Sequence, residues 1–534
     1  MYNLKKLFAA CYFCSLLLAA VLADLFAASS SLPVVLIKTI NISGSGGAPR
    51  MRMGDLNGDG RLDILMVQAT AETPSQVAQL TAFDGCTGTK LWTLGDGAGL
   101  GGTDRDEPAQ IWDIDNDGYN EVVAVMNSKI LFLDGATGAT KKSMNMPTGF
   151  EDCHDCISFA NFTGAPYAHP TDMVFKDRYT RAVAIDVTGK QLWTFSGITG
   201  HNPWSFDMNG DGLDEFFIGY SLLSAKGVPM YPAPINVDHP DCIWVGDVDG
   251  DPSNGYEVVY GLAVNPSTQC VNTRTGKVVW TNSDRRESQQ VMLADFRPDL
   301  KGLEVYGLDR VNRTDQDALF IIDGTGKQIW EETPDNSGYL TAIKMVYNWD
   351  GTHTPYCLAI KRGGGVLPEV RDGKGVIVAH AGADGLNACV GDFGGDDKDE
   401  AIFYSSTTAS IYADAQFDYT QPPPNPGHPR KQTKFYGMYS RYGSGDALEN
   451  SEVATIGGGS VPAATAACGT SMHKVMGKCL TLRELAPGKS ASVTLFDVSG
   501  KVVYSATVRN KVVDIGAETG KAEGMYLAKI IYER

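Results

Sequence analysis

A nine-residue acidic phrase recurs along the chain, and a short apolar run follows it each time. It reads Asp55-Leu-Asn-Gly-Asp-Gly-Arg-Leu-Asp63 before Ile-Leu-Met-Val, and Asp113-Ile-Asp-Asn-Asp-Gly-Tyr-Asn-Glu121 before Val-Val-Ala-Val. It returns from Asp207 to Glu215 before a Phe-rich run. Longer forms run from Asp247 to Glu257 and from Asp295 to Glu304, a further copy from Asp392 to Glu400, and eroded copies begin at Asn161 and Asn348. The starts at 55, 113, 161, 207, 247, 295, 348 and 392 lie 40 to 58 residues apart. A strand-rich unit of that length cannot bury its own apolar face, so it must stack on copies of itself, and that period belongs to the blades of a β-propeller.

A second phrase marks the same units: Phe83-Asp-Gly-Cys-Thr-Gly-Thr-Lys-Leu-Trp92, Leu133-Asp-Gly-Ala-Thr-Gly138, Ile185-Asp-Val-Thr-Gly-Lys-Gln-Leu-Trp193, Asn272-Thr-Arg-Thr-Gly-Lys-Val-Val-Trp280 and Ile322-Asp-Gly-Thr-Gly-Lys-Gln-Ile-Trp330. Asp-Gly and Thr-Gly between apolar runs form hairpin turns, because glycine accepts the positive φ that such turns require. The closing tryptophan is placed to pack between neighbouring blades. The 60 glycines of the 534-residue chain carry no Gly-X-Y period, which excludes collagen and fits a turn-dense all-β fold. The expectation is an all-β chain with an eight-bladed β-propeller over residues 35–445, seven-bladed if an eroded copy forms no blade. The Pro-rich run 421–429 breaks regular structure, and the aromatic stretch Phe435 to Tyr442 is suited to pack back and close the ring. A small, glycine-rich linker then covers 446–479. Residues 480–534 alternate apolar and polar side chains, which predicts a small antiparallel sandwich.

The acidic phrase has a chemical reason. Oxygen ligands at its first, third, fifth and ninth positions can converge on one hard cation while glycine lets the backbone turn around it. Asp55, Asn57, Asp59 and Asp63 fit this spacing fully, as do Asp113, Asp115, Asp117 and Glu121, and Asp207, Asn209, Asp211 and Glu215. Calcium (Ca2+) is the expected ion, with a stiffening role. In the eroded copies, acidic turns held by backbone hydrogen bonds are an equal expectation.

Residues 1–28 read as a signal peptide: Lys5 and Lys6 precede the apolar stretch Leu7 to Leu22, and small residues follow near Ala23 and Ala28. The mature chain is therefore expected outside the cell or at its surface, with no membrane span after processing and as a monomer. Of 11 cysteines, removal of Cys11 and Cys14 leaves nine, an odd number, in an environment that permits disulfides. Cys468 and Cys479 are the best-placed pair, and Cys153-His-Asp-Cys156 has the spacing of a metal ligand pair or a short-loop disulfide. The formal net charge of −18 argues against a nucleic-acid or anionic-membrane binder, so an anionic ligand needs a local cationic pocket.

Functional side chains concentrate between Lys176 and Asp241: Lys176, Arg178, Tyr179, His201, Tyr220, His239 and Asp241. Three adjacent blades supply them, and propeller loops from successive blades meet at one end of the axis. Beyond them, Arg285 and Arg286 follow Trp280 in a loop. Trp204 and Trp244 suit either sugar stacking or blade interfaces. The plainer alternative for Lys176-Asp-Arg178 is a turn with internal ion pairing.

Three stretches resemble known families. The acidic loops are similar to the FG-GAP repeats of integrin-type propellers. Leu495-Phe-Asp-Val-Ser-Gly-Lys-Val-Val-Tyr504, the Gly-Met-Tyr core at 524–526 and a basic last residue resemble the C-terminal sorting domains of type IX secretion, which implies the secretion machinery as a partner. The segments Asp172-Met-Val-Phe-Lys-Asp-Arg-Tyr179, Gly200-His-Asn-Pro-Trp through Glu215 into Gly219-Tyr220, and His239-Pro-Asp-Cys-Ile-Trp resemble secreted propeller polysaccharide lyases, the rhamnogalacturonan and ulvan lyases. That resemblance implies β-elimination on a uronic-acid polysaccharide. A cationic group must neutralise the uronate carboxylate, and a tyrosine or histidine must take the neighbouring proton and return one to the leaving oxygen. Tyr179, His201, Tyr220 and His239 are the catalytic candidates; Lys176, Arg178, Arg285 and Arg286 are the substrate-binding ones. The competing reading is a non-catalytic, calcium-stabilised carbohydrate-binding or adhesion propeller. A quinone-dependent dehydrogenase is disfavoured, because the adjacent cysteines that family uses are missing.

Overall fold

The computed structural model describes residues 31–416, apart from 48–49, 71–75, 97–107, 165–169, 202, 210, 236, 252, 264–265, 285–286, 311–316, 333–340, 362–366, 383–386 and 397, together with strands between 470 and 532. Residues 1–28, read as a signal peptide from the sequence, together with Arg285, Arg286 and the aromatic stretch 435–442, lie outside the described residues.

Every regular element among the described residues is a β-strand, and the first unit closes as an eight-bladed propeller. Seven blades are four-stranded antiparallel sheets. Blade 1 spans 50–95, blade 2 109–145, blade 3 156–196, blade 5 240–282, blade 6 288–332 and blade 7 341–380. Blade 4, at 204–223, has three strands. Blade 8 takes three strands from 387–413 and its fourth from the start of the chain, where Val35–Asn41 pairs antiparallel with Thr408–Ala413. The ring is thus closed by the chain's first strand, whereas the sequence alone had suggested the stretch 435–442.

Burial falls from axis to rim. The first strand of each blade is buried at nearly every position, as in Arg50–Gly54, Cys156–Ala160 and Pro240–Gly246, and first strands of neighbouring blades lie against one another. Fourth strands such as Thr140–Asn145 face solvent at most positions. This gradient explains why the first two strands of a blade read as continuous apolar runs and the fourth as a mixed one. Each closing tryptophan fills the joint to the next blade, and Trp92 donates from Nε1 to Gly135 O at 2.7 Å. Gly138, at φ +69°, lies flat against the same indole, and a Cβ there would stand 2.6 Å from it. The Thr-Gly turn therefore requires glycine both for its backbone and for the neighbouring tryptophan. Trp280 and Gly326 repeat the arrangement between blades 5 and 6.

The second unit, Val461–Arg534, carries a four-stranded antiparallel sheet ordered Thr470–Met476, Met525–Tyr532, Ala491–Phe496, Val502–Val508, and a two-stranded pair Cys479–Thr481 with Val512–Asp514. Its first strand falls inside the stretch read as linker. The run Thr470–Met476 has no alternation of its own and acquires strand structure by pairing with Met525–Tyr532.

Candidate active site

In a four-stranded antiparallel blade, the entry to the first strand and the turn between the second and third strands share one end. The first-to-second loop and the third-to-fourth turn share the other. The acidic phrases are first-to-second loops, as the pairings Gly54↔Asp63 and Trp112↔Glu121 show. The residues that gather into a site are entries and second-to-third turns, at the opposite end.

Asp155 stands at the entry to blade 3, and its amide donates to Lys176 O at 2.9 Å, extending the pairing of the first two strands. The turn that follows Lys176 is organised by Asp177, whose Oδ1 accepts the amides of Tyr179, Thr180 and Arg181 at 3.1, 2.6 and 2.9 Å. That Asx turn presents Arg178 and Tyr179 on consecutive residues. Lys176 is buried, with its Nζ 2.9 Å from Asp155 Oδ2, and both side chains are 1% exposed. Arg178 reaches the other oxygen of Asp155 from Nη1 at 3.3 Å, and its Nε donates to Tyr179 Oη at 3.2 Å. Asp155 is fully enclosed. Burial alone would raise its carboxyl, but the Lys176 and Arg178 cations outweigh burial and hold it below the usual range.

His201 enters from the start of blade 4. Gly200, at φ +62°, lies so close to Pro240 that a Cβ would stand 2.8 Å from its ring, and His201 N donates to Pro240 O at 3.3 Å. His239 precedes the first strand of blade 5, and Asp241 lies within that strand. Asp241 Oδ1 faces both imidazoles, at 3.5 Å from His201 Nε2 and 3.4 Å from His239 Nε2. His239 Nδ1 pairs with Asp238 at 2.8 Å. Asp241 is buried, yet hydrogen bonds to His201 and His239 bring its carboxyl down to about 2. Burial works against the His239 imidazolium, and the bonds to Asp241 and Asp238 outweigh it, raising that pKa.

The two groups meet through Tyr179. Its ring centroid is 4.6 Å from that of His239 and 5.8 Å from that of His201, and the two imidazoles are 5.0 Å apart. Tyr179 is 42% exposed, and the His239 side chain is 18% exposed. Arg178, Tyr179, His201 and His239 thus share one mouth, with Tyr179 outermost.

Tyr220 lies below this mouth. It is buried, packs edge-on against Tyr260 at 5.5 Å, and its hydroxyl has no hydrogen-bond partner among the described residues. Trp204 and Trp244 are buried with ring centroids 5.5 Å apart, so they fill the joint of blades 4 and 5. Cys153 and Cys156 are buried thiols, as are or nearly are the other five described cysteines, with no disulfide among the seven. What the Cys153–Cys156 segment brings to the site is Asp155. Its sequence gave no sign of this, because the partner cations lie 21 and 23 residues away, at the end of another strand and in the turn after it. Gln289 was also missed. It lies in blade 6, and its Nε2 donates to Asp241 Oδ2 at 2.7 Å.

His201, His239 and Asp241 each offer a ligand atom, all within 4.8 Å of one another, a donor set that suits a divalent cation. At the other end of the ring, the acidic loops fold around their own backbone amides. Asp55 accepts Gly58 N and Gly60 N, Asn57 accepts Asp59 N, Asp59 accepts Arg61 N, and Asp63 accepts Leu56 N, Asn57 N and Gly85 N. Asp207, Asn209, Asp211 and Glu215 repeat the pattern, with Asp207 accepting Asp211 N and Gly212 N and Glu215 accepting Met208 N. Burial pushes Asp63 up to about 8, against the pull of the hydrogen bonds it accepts from Gly85 N and Leu56 N.

The family model described as rhamnogalacturonan lyase family 11, C-terminal domain, matches residues 173–358, about a third of the chain. Among solved structures, the exotype rhamnogalacturonan lyase YesX aligns at 18% identity over 77% of this chain and 82% of its own, with TM-score 0.51. The Bacillus licheniformis rhamnogalacturonan lyase aligns at 18% identity over 80% and 82%, also at 0.51. Rhamnogalacturonan lyase YesW aligns at 17% over 79% and 84%, at 0.50. At these identities the structural likeness establishes the propeller fold. No curated protein matches the chain. The family match runs through Lys176, Arg178, Tyr179, His201, His239, Asp241 and Gln289, and it supports a polysaccharide lyase.

Proposed function

We propose that this chain is an extracellular lyase that cleaves a rhamnogalacturonan-type, uronate-containing polysaccharide by β-elimination. The observation that carries the reading is the convergence of Arg178, Tyr179, His201 and His239 at one mouth, from three blades, within the segment that matches the lyase family. A body of net charge −18 with Arg178 beside the mouth suits a polyanion gripped locally.

In the reaction, a base takes the proton from the carbon beside the uronate carboxylate. Its electron pair forms a carbon–carbon double bond, the bond to the glycosidic oxygen breaks, and that oxygen receives a proton. Arg178 is the planar donor available to the carboxylate. Tyr179 is oriented by Arg178 Nε, stands outermost, and takes the proton. His239, fixed by Asp238 and Asp241, returns one to the leaving oxygen. His201 backs His239 through the shared Asp241. A divalent cation held by His201, His239 and Asp241 would instead supply charge to neutralise the carboxylate. Incubation of the purified chain with rhamnogalacturonan, pectate and ulvan, with the absorbance of the unsaturated product followed, tests the reading; it fails if no uronate polymer yields that product.

One observation favours a binding-only propeller. Lys176 and Arg178 both face Asp155, which lowers the net positive charge available to a substrate carboxylate. Retention of polymer without a fall in its chain length would establish that alternative.

A further inference from the structure

Six blades share a structural irregularity just after the third-to-fourth turn. In blade 1 the pairing passes from Ala82↔Trp92 to Phe83↔Lys90, leaving Leu91 as an extra residue. The same slip leaves Leu192 in blade 3, Val279 in blade 5, Ile329 in blade 6 and Val378 in blade 7. Such a bulge takes its extra side chain out of the strand's alternation and re-aims it. In these five blades that side chain is aliphatic. In blade 2 the pairing passes from Phe132↔Lys142 to Leu133↔Thr140, and the extra residue is Lys141.

Because this turn and the acidic loop occupy the same end of a blade, Lys141 is aimed at the loop 113–121. Its Nζ lies 2.7 Å from Asp115 Oδ2, 3.0 Å from Asp117 Oδ2 and 2.6 Å from Glu121 Oε1. These are the third, fifth and ninth positions of the phrase, three of the four that the spacing assigns to a cation. The fourth, Asp113, accepts Asp117 N and Gly118 N at 3.1 Å each. Partial burial opposes the Lys141 ammonium, but its bonds to Asp115, Glu121 and Asp117 outweigh that and raise its pKa. Glu121 is buried, and a carboxylate so placed needs a partner of opposite charge.

We propose that Lys141 is the built-in cation of this loop, so residues 113–121 take up no divalent ion although they match the ligand spacing as fully as residues 55–63 and 207–215. An ion entering the loop would have to displace the ammonium or sit beside it, against direct like-charge repulsion. Blade 2 keeps its loop folded without metal, and the contrast with its sister loops rests on their reading as calcium sites.

The test counts calcium ions bound per molecule by the full chain, after chelator stripping and dialysis against calcium. Asp115→Asn/Asp117→Asn is expected to leave the count unchanged, and loss of one ion would overturn the proposal. Lys141→Leu, which installs the blade 1 residue, is expected to add one ion, which Asp115→Asn/Asp117→Asn on that background removes. No gain in a Lys141→Leu chain that keeps its β-sheet circular dichroism would also overturn it. Asp55→Asn/Asp59→Asn separates the two readings: no ion lost there counts against calcium in the sister loop, while the Lys141→Leu gain still decides the role of Lys141.

Discussion

Gln289 Nε2 lies 2.7 Å from Asp241 Oδ2 and leaves the other oxygen of that carboxylate to face His201 and His239 together. Gln289 is itself buried, so it positions the site through Asp241. Gln289→Leu should lower turnover about 10- to 100-fold, as expected when reacting groups are displaced by a fraction of an ångström. Steady-state kinetics should show the loss in kcat more than in KM. Equal loss in Gln289→Leu and in Gln289→Glu, with KM carrying the change, would contradict a positioning role.

Tyr179→Phe removes only the hydroxyl of a half-exposed ring. The elimination rate should fall about 10²- to 10⁴-fold, the range of a lost general acid or base. Stability should stay within about 0.5 kcal/mol, as for other surface changes. Tyr220→Phe should do little to the rate, because that hydroxyl is buried beneath the mouth. The reverse order in an unsaturated-product assay would move the proton-transfer role to Tyr220.

Lys176→Met breaks a fully enclosed ion pair and leaves Asp155 with Arg178 as its remaining ion-pair partner among the described residues. The expected cost is about 3–5 kcal/mol in urea unfolding, since the loss leaves part of a buried charge uncompensated. The unsubstituted chain should show the linked pH effect. The Asp155 carboxyl is depressed in the folded state, so its stabilisation is complete above the unfolded value of about 4. It is lost as pH falls through the lower folded value. Lys176→Met should flatten that acid limb.

Calcium removal should lower the melting temperature. At a calcium concentration 100 times the dissociation constant, one site contributes about 2.7 kcal/mol. Asp59→Asn should reduce the shift between chelator and calcium buffers. The acidic loops lie at the opposite end of the ring from the site. The elimination rate of intact, folded chain should therefore respond to chelator only if His201, His239 and Asp241 hold an ion of their own.

The blade count was legible because an acidic phrase opens each of the eight units and a second, independent phrase marks five of them, and each phrase has a local physical cause in turn geometry. The clustering of Arg178, Tyr179, His201 and His239 was legible as a concentration of functional side chains, two of the chain's eight histidines among them, within one window of three adjacent blades. Asp155, Gln289 and Lys141 were not. Each acts through a partner distant in sequence, and each becomes visible only once strand register places it: Asp155 by the pairing Cys156↔Lys176, Lys141 by a one-residue slip. Lys176 was legible as a charge but not as a buried one, since its exposure is decided by Asp155.

The strand Val35–Asn41 leaves the ribosome hundreds of residues before its partner Thr408–Ala413 exists. Until synthesis passes residue 413, the outer strand of blade 8 waits without its complete set of inner strands, and every earlier intermediate is an open arc with apolar first and last faces. Completion of the circle is thus a late, long-range event that tethers both ends of the array at once. A chain shortened by even a handful of residues into Val35–Asn41 should mature slowly and be degraded as an unclosed form, however intact its other seven blades.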